Sequence, residues 1–369
     1  MVAVSAVERK LMLIDVLSEE AEIDEEIPEV AVKEWSEARI RAWFKERAGD
    51  CGSGDDGKGD GDGAESSGLD DPMKRWFPGW KGPQVAGRLP RARVLCFPCA
   101  GSGEDMYSKT GKGVSNGLAS MCTRQRVEML AVQPPGRGNR RRDAFLPSAQ
   151  AIAEEAAAAF AAHVAKEGRG DAGRAVPWFV VGHSVGTWVG YETVVRLMSD
   201  HGFPPPTRVF LSSFPPPDIA VEERPWRHAA SADPDETAFQ DDAKAWGTDP
   251  MVFSEAMWDS QGFGALMRAD FSLFDTYSGC CSDAGGSSKA PRPLRGVPAT
   301  LFSAEGDAVV KRDHVSAWLE FLDAPADTSR VEVIDGSHLF PVLHQDTAAR
   351  AKWMDHVCLD ILADLKRGQ

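Results

Sequence analysis

Gly182-His183-Ser184-Val185-Gly186 stands where an apolar run, Trp178-Phe179-Val180-Val181, gives way to a helical pattern that continues through Val194 and Val195. A serine on such a strand-to-helix turn is presented alone, and small neighbours let the chain pass closely around it. Its hydroxyl is a weak nucleophile. Acyl transfer through it therefore needs a base, and the base needs an acid to orient it. With a serine at this kind of elbow, the partners follow in the order acid, then histidine. Six histidines follow Ser184. His338 lies in Asp335-Gly336-Ser337-His338-Leu339-Phe340, directly after an apolar strand pattern, and is the predicted base. His201 ends the elbow helix, His228 falls in an irregular stretch, and His314, His344 and His356 lie in or beside helical segments. The predicted acid is Asp307, in Ser303-Ala304-Glu305-Gly306-Asp307, with Glu305 as its rival. An oxyanion would need two backbone N–H groups. Val185 should give one, and the loop Phe97-Pro98-Cys99-Ala100-Gly101-Ser102-Gly103 the other, through Cys99 or Ala100.

These residues need a frame that gathers them at one edge. From Arg91 onward short apolar runs alternate with longer helical patterns. Strands are expected at 93–97, 127–132, 178–182, 208–212, 299–303 and 330–334, and helices at 149–166, 185–201, 312–322 and 347–366. That alternation predicts an α/β architecture, a mostly parallel sheet with helices on both faces. Residues 215–296, rich in Pro, Trp and Asp, interrupt it as a helical insertion. Ahead of the sheet, residues 1–50 carry helical periodicity, and 51–71 are mainly Gly, Asp and Ser, the composition of a linker. The main domain is expected over 72–369, with Trp76, Phe77 and Trp80 docking its first segment.

The chain has 369 residues, 43% of them hydrophobic, enough for one large domain with an appendage. No apolar run is long enough to span a membrane, and the N-terminus lacks a secretory pattern. Seven cysteines at irregular spacing fit a reducing compartment, so a cytoplasmic address is expected, with a plastid as alternative. Cys96 and Cys99 form a CxxC without a second pair or histidine cluster, so no metal is expected. The net charge is −15, of which residues 1–71 carry −12. Nucleic acid is not an expected partner for such a chain. The basic run Gly136-Arg137-Gly138-Asn139-Arg140-Arg141-Arg142 stands out, and Arg140, Arg141 and Arg142 are candidates for meeting an acidic protein surface.

Five stretches together resemble the type II thioesterase family, stand-alone enzymes serving polyketide and nonribosomal peptide synthases. They are FPCAGSG, VEMLAVQPPGRGNR, GHSVG with Glu192 later in the helix, LMRADFSLFDTY and DGSHLFP. The resemblance covers roughly residues 91–345. It implies an α/β-hydrolase fold with a helical lid at about 215–296 and no cofactor. It also implies hydrolysis of acyl groups from the phosphopantetheine of an acyl or peptidyl carrier protein, for editing or release, as in polyketide, nonribosomal peptide or fatty acid synthesis. The chain departs from the family pattern at Cys99, Ser102, Val185, Trp188 and Ala308. An oxygen-ester hydrolase or lipase with the same three residues is the alternative enzyme. A non-catalytic carrier-binding protein is the alternative of another class.

Overall fold

The computed structural model describes residues 71–80, 88–109, 117–279 and 294–368, together with the single positions 36 and 39. The expected helices of 1–50 and the linker 51–71 fall almost wholly outside these residues.

Six strands form the sheet: β1 (Ala92–Phe97), β2 (Val127–Ala131), β3 (Trp178–His183), β4 (Arg208–Ser212), β5 (Ala299–Ala304) and β6 (Arg330–Ile334). Their order is β2-β1-β3-β4-β5-β6, and every pairing is parallel. Parallel neighbours need long crossovers, which here are helices, so both faces are covered and the strands read as near-continuous apolar runs. All residues of β1 to β5 are buried, whereas β6, at the edge, is only partly so. Alternation along each strand divides the core. Leu95, Leu130, Val180 and Leu211 enter one apolar cluster, and Val94, Met129, Phe179 and Phe210 the other.

Helix α1 (Pro72–Trp76) begins on Asp71, which accepts the Met73 N–H at 3.2 Å. Helix α2 (Gly117–Arg124) precedes β2, and α3 (Ala149–Lys166) is capped by Ser148. Helix α4 (Gly186–Ser199) opens directly after Ser184 and Val185. Two helices lie in the insertion between β4 and β5, α5 (Glu236–Ala245) and α6 (Phe263–Asp275). Finally, α7 (Arg312–Phe321) joins β5 to β6, and α8 (Thr347–Arg367) closes the chain. Residues from α3, α4 and α7 enter the first apolar cluster, and those from α2 and α8 the second. This is the α/β-hydrolase fold with a helical insertion.

The strand and helix ends lie close to those the sequence predicts, but α1 and α2 do not figure among the predicted elements. Both are too short for a helical period to show. Trp76 and Phe77 are buried against α3, where Phe77 is 1% exposed. Trp80 stays 44% exposed, although its indole N–H donates to Glu128 Oε1 at 2.8 Å.

Candidate active site

The sharp turn between β3 and α4 holds Ser184 at φ +53°, a left-handed conformation that non-glycine residues seldom adopt. Its neighbours must be glycine for steric reasons. A Cβ on Gly182 would stand 2.9 Å from the Gly186 carbonyl oxygen, and one on Gly186 would stand 2.3 Å from that of Phe97. Backbone pairing carries the strand ladder through the turn, with Ser184 N–H donating to the Ser212 carbonyl at 2.9 Å.

Ser184 Oγ lies 2.9 Å from His338 Nε2, and His338 Nδ1 lies 2.6 Å from Asp307 Oδ2. All three side chains are buried. Asp307 also accepts the N–H groups of Val309 and Val310 through Oδ1, both at 2.9 Å. A carboxylate can only accept, so Nδ1 carries the ring proton and Nε2 is left to accept from the serine hydroxyl. Glu305, the rival acid, is exposed and sits on the turn before Asp307. The structure thus brings Ser184, His338 and Asp307 together, joining the ends of β3, β5 and β6. Val185 is 2% exposed at the first turn of α4, while Cys99 and Ala100 line the cavity beside Ser184. Among the described residues, the N–H groups of Val185, Cys99 and Ala100 all lack a protein acceptor.

Several supporting residues have contacts that the sequence reading does not assign. His183, fully buried, meets Ser212 Oγ at 3.0 Å through Nδ1 and the His338 carbonyl at 2.8 Å through Nε2. Burial, and then the proximity of His338, push its pKa well below the usual histidine range, so it stays neutral and fixes the His338 backbone. Its place inside GHSVG is the only sequence sign of this. Trp246, at the end of α5, packs edge-on against His338 with ring centroids 4.6 Å apart. Arg137 and Asp270 make a two-pronged ion pair at 2.6 and 2.7 Å, and Asp270 Oδ2 also accepts the Gly101 N–H at 2.7 Å. Arg137 further donates to the Ser102 carbonyl at 2.8 Å. The PGRG turn, the lid helix α6 and the loop after β1 are thereby locked together. Both motifs are visible in the sequence, but nothing there pairs them. Glu192 accepts from the Tyr277 hydroxyl at 2.7 Å and from Arg196 at 2.6 Å, anchoring the end of α6 to α4. Trp188, an unusual residue for its place, lies wholly beneath the lid, its ring centroid 4.5 Å from that of Tyr277.

The three candidate docking arginines separate. Arg140 is only 2% exposed, so it does not belong to an exposed docking set. Its guanidinium lies 4.1 Å from the Trp76 ring and donates to Asp143 at 2.8 Å and to the Gln133 carbonyl at 3.1 Å. It was drawn inward because α1, absent from the sequence reading, offers an aromatic face. Arg141 and Arg142 remain exposed.

The cavity at Ser184 is about 130 Å³ and is walled on the lid side by Trp246, Val252, Phe263, Met267, Phe271 and Phe274. A buried serine hydroxyl bonded to an oriented imidazole, at the mouth of an apolar cavity, is arranged for acyl transfer. The thioesterase domain model matches residues 92–351, and the chain belongs to that family of thioester-cleaving serine hydrolases. Among its relatives is the gramicidin S biosynthesis protein GrsT of Aneurinibacillus migulanus, 25% identical over 230 residues, 62% of this chain and 76% of that one. Similar solved structures include RedJ, a thioesterase from the prodiginine pathway of Streptomyces coelicolor. It has a TM-score of 0.56 at 22% identity, covering 78% of this chain and 99% of that one. ClbQ from the colibactin pathway gives 0.54 at 22% identity, covering 73% and 99%. These two likenesses establish the fold. No described helix is long and apolar enough to cross a membrane.

Proposed function

We propose that Ser184, His338 and Asp307 are nucleophile, base and orienting acid, and that the substrate is an acyl group on the phosphopantetheine arm of an acyl or peptidyl carrier protein. The observation that carries this reading is the bonded row Ser184–His338–Asp307 opening on an apolar, lidded cavity. That GrsT serves gramicidin S biosynthesis, RedJ the prodiginine pathway and ClbQ the colibactin NRPS/PKS pathway supports the choice of substrate.

His338 Nε2 takes the Ser184 proton as Oγ bonds to the thioester carbon. The Val185 N–H and the Cys99–Ala100 loop receive the oxyanion. Collapse breaks the C–S bond, and the imidazolium returns its proton to the departing thiol. Water, deprotonated by His338, then cleaves the acyl-enzyme and restores the serine. None of these steps calls for a cofactor. The cavity is small beside the roughly 300–1,000 Å³ usual for ligand pockets, so short acyl groups fit without displacing the lid. That suits clearing small stalled acyl groups better than releasing large products. Among the described residues, Cys96, Cys99 and Cys122 are buried and form no disulfide, which supports a reducing setting.

Ser184→Ala should lower hydrolysis of an acyl-carrier thioester by about 10⁴ or more while leaving the circular dichroism spectrum unchanged. Substantial turnover in the purified variant would remove the serine mechanism. A matched oxygen ester, assayed beside the thioester, separates this reading from the lipase alternative. Arg141 and Arg142 are the exposed remainder of the docking set. Changing both to Ala should lower kcat/KM on the acyl-carrier substrate several-fold and leave a small acyl thiol unaffected, since exposed charges act mainly on encounter. Equal losses on both substrates would assign these arginines to the fold instead.

A further inference from the structure

The hydrogen bonds of His338 leave one motion of its ring free. Nδ1 meets Asp307 at 2.6 Å and Nε2 meets Ser184 at 2.9 Å. Bonds at the two imidazole nitrogens act in the ring plane, so they define an axis and do not resist rocking about it. Ring packing must supply that restraint. His183 meets the imidazole from the core, with centroids 5.4 Å apart, and Trp246 meets it from the insertion, edge-on at 4.6 Å.

Trp246 is also a wall of the Ser184 cavity. At roughly 30 Å³ for a group the size of a water molecule, the cavity of about 130 Å³ holds about four carbon-sized groups. A longer acyl tail must move part of the wall. Phe271 and Phe274 sit on α6, which the Arg137–Asp270 pair and the Glu192–Tyr277 bond anchor. Cys99 and Ala100 lie on the loop that Asp270 holds through the Gly101 N–H. Trp246 instead caps the end of α5, just before Gly247 turns the chain at φ +83°. Its ring is held by packing on Trp226 and Phe274, with centroids at 5.7 and 5.8 Å. A tail that outgrows the cavity meets least resistance at the residue that steadies the base.

Resting on the thioesterase reading, we propose that Trp246 is a positioning residue through which acyl length acts on His338. Short tails leave it packed on the imidazole, and longer ones push it off and lower turnover. The displaced tail still finds apolar rings around it, so the limit on acyl length is expressed in kcat more than in KM.

Acetyl, butyryl and octanoyl N-acetylcysteamine thioesters test this on the full-length protein. In the native enzyme kcat should hold to butyryl and fall about tenfold by octanoyl, with KM changing less. That is a fraction of the roughly 10²-fold that a misplacement of about 1 Å can cost. His338 serves both acylation and deacylation, so kcat reads its placement whichever step is slower. Trp246→Ala should lower kcat for acetyl about tenfold and abolish the further fall to octanoyl. Trp246→Leu, which keeps apolar bulk without a ring, should show the same pattern if the alanine variant does not fold. Trp246→Phe should recover most of the loss. A methyl fluorophosphonate gives a second readout, because Ser184 Oγ displaces its fluoride only as His338 takes the proton, and it carries no acyl tail. Labelling should slow about tenfold in Trp246→Leu and recover in Trp246→Phe. Native labelling and native acetyl turnover in Trp246→Leu overturn the proposal. So does a chain-length effect confined to KM, or a fall from acetyl to octanoyl that persists without the ring. If the native protein cleaves no thioester, yet labelling still slows with Trp246→Leu and recovers with Trp246→Phe, the positioning role stands and the thioesterase reading falls.

Discussion

At Asp307 two backbone N–H groups and one imidazole converge on a single carboxylate, and that determines what a substitution would do. Asp307→Asn replaces an obligate acceptor with an amide that can donate to Nδ1. His338 is then held in the wrong tautomer, with Nε2 protonated and unable to take the serine proton. We expect kcat to fall by about 10⁴, whereas Glu305→Gln, on an exposed side chain, should change it little. The reverse ranking in steady-state assays would move the acid to Glu305. These residues were readable in the sequence because each sits in a short motif directly after an apolar run. Arg140 misled for the opposite reason. Three consecutive arginines look alike as letters, and only the aromatic face of Trp76 distinguishes the first from the others.

Elements were legible where they were long. The 18-residue α3 and the buried strands declare themselves by periodicity and by unbroken apolar runs. The five-residue α1 and the eight-residue α2 are too short for a period to show. Contacts between distant elements were not legible at all. Arg137 and Asp270 are 133 residues apart, and their pairing depends on where the insertion folds back. Through Asp270 the lid helix α6 holds the Gly101 N–H, and so the loop that presents Ala100. Asp270→Asn should therefore lower kcat about tenfold or more on every thioester, with KM less affected, because a misplaced oxyanion donor costs roughly 3–4 kcal/mol at most. Removing one side of a buried pair also destabilises by about 3–5 kcal/mol, so the melting temperature should be recorded alongside. A variant that melts normally and turns over normally would show that the loop holds itself.

For the whole molecule, the charge is divided. The front 71 residues carry −12 of the total −15, ahead of a catalytic body that is nearly neutral. The family match begins only at residue 92. A chain starting at residue 71 keeps Asp71 to cap α1 and Trp76 to hold Arg140. It should hydrolyse a small acyl thioester within about twofold of the full chain, as expected of a segment joined through a Gly-, Asp- and Ser-rich stretch. If the shortened protein folds, as judged by its melting transition, but loses activity, then the front segment contributes to the site.

The Arg137–Asp270 pair has its side chains only 9% and 5% exposed, whereas Arg141 and Arg142 face open solvent. Mobile ions reach the second set and not the first. At physiological ionic strength the screening length is about 8 Å and shortens as salt is added, so the proposed attraction of the exposed arginines for an acidic carrier would fade while the internal clamp keeps its full field. Dissolved salt thus acts on this protein as a selective attenuator. On the proposed docking, it slows the meeting of carrier and enzyme and leaves the internal clamp untouched.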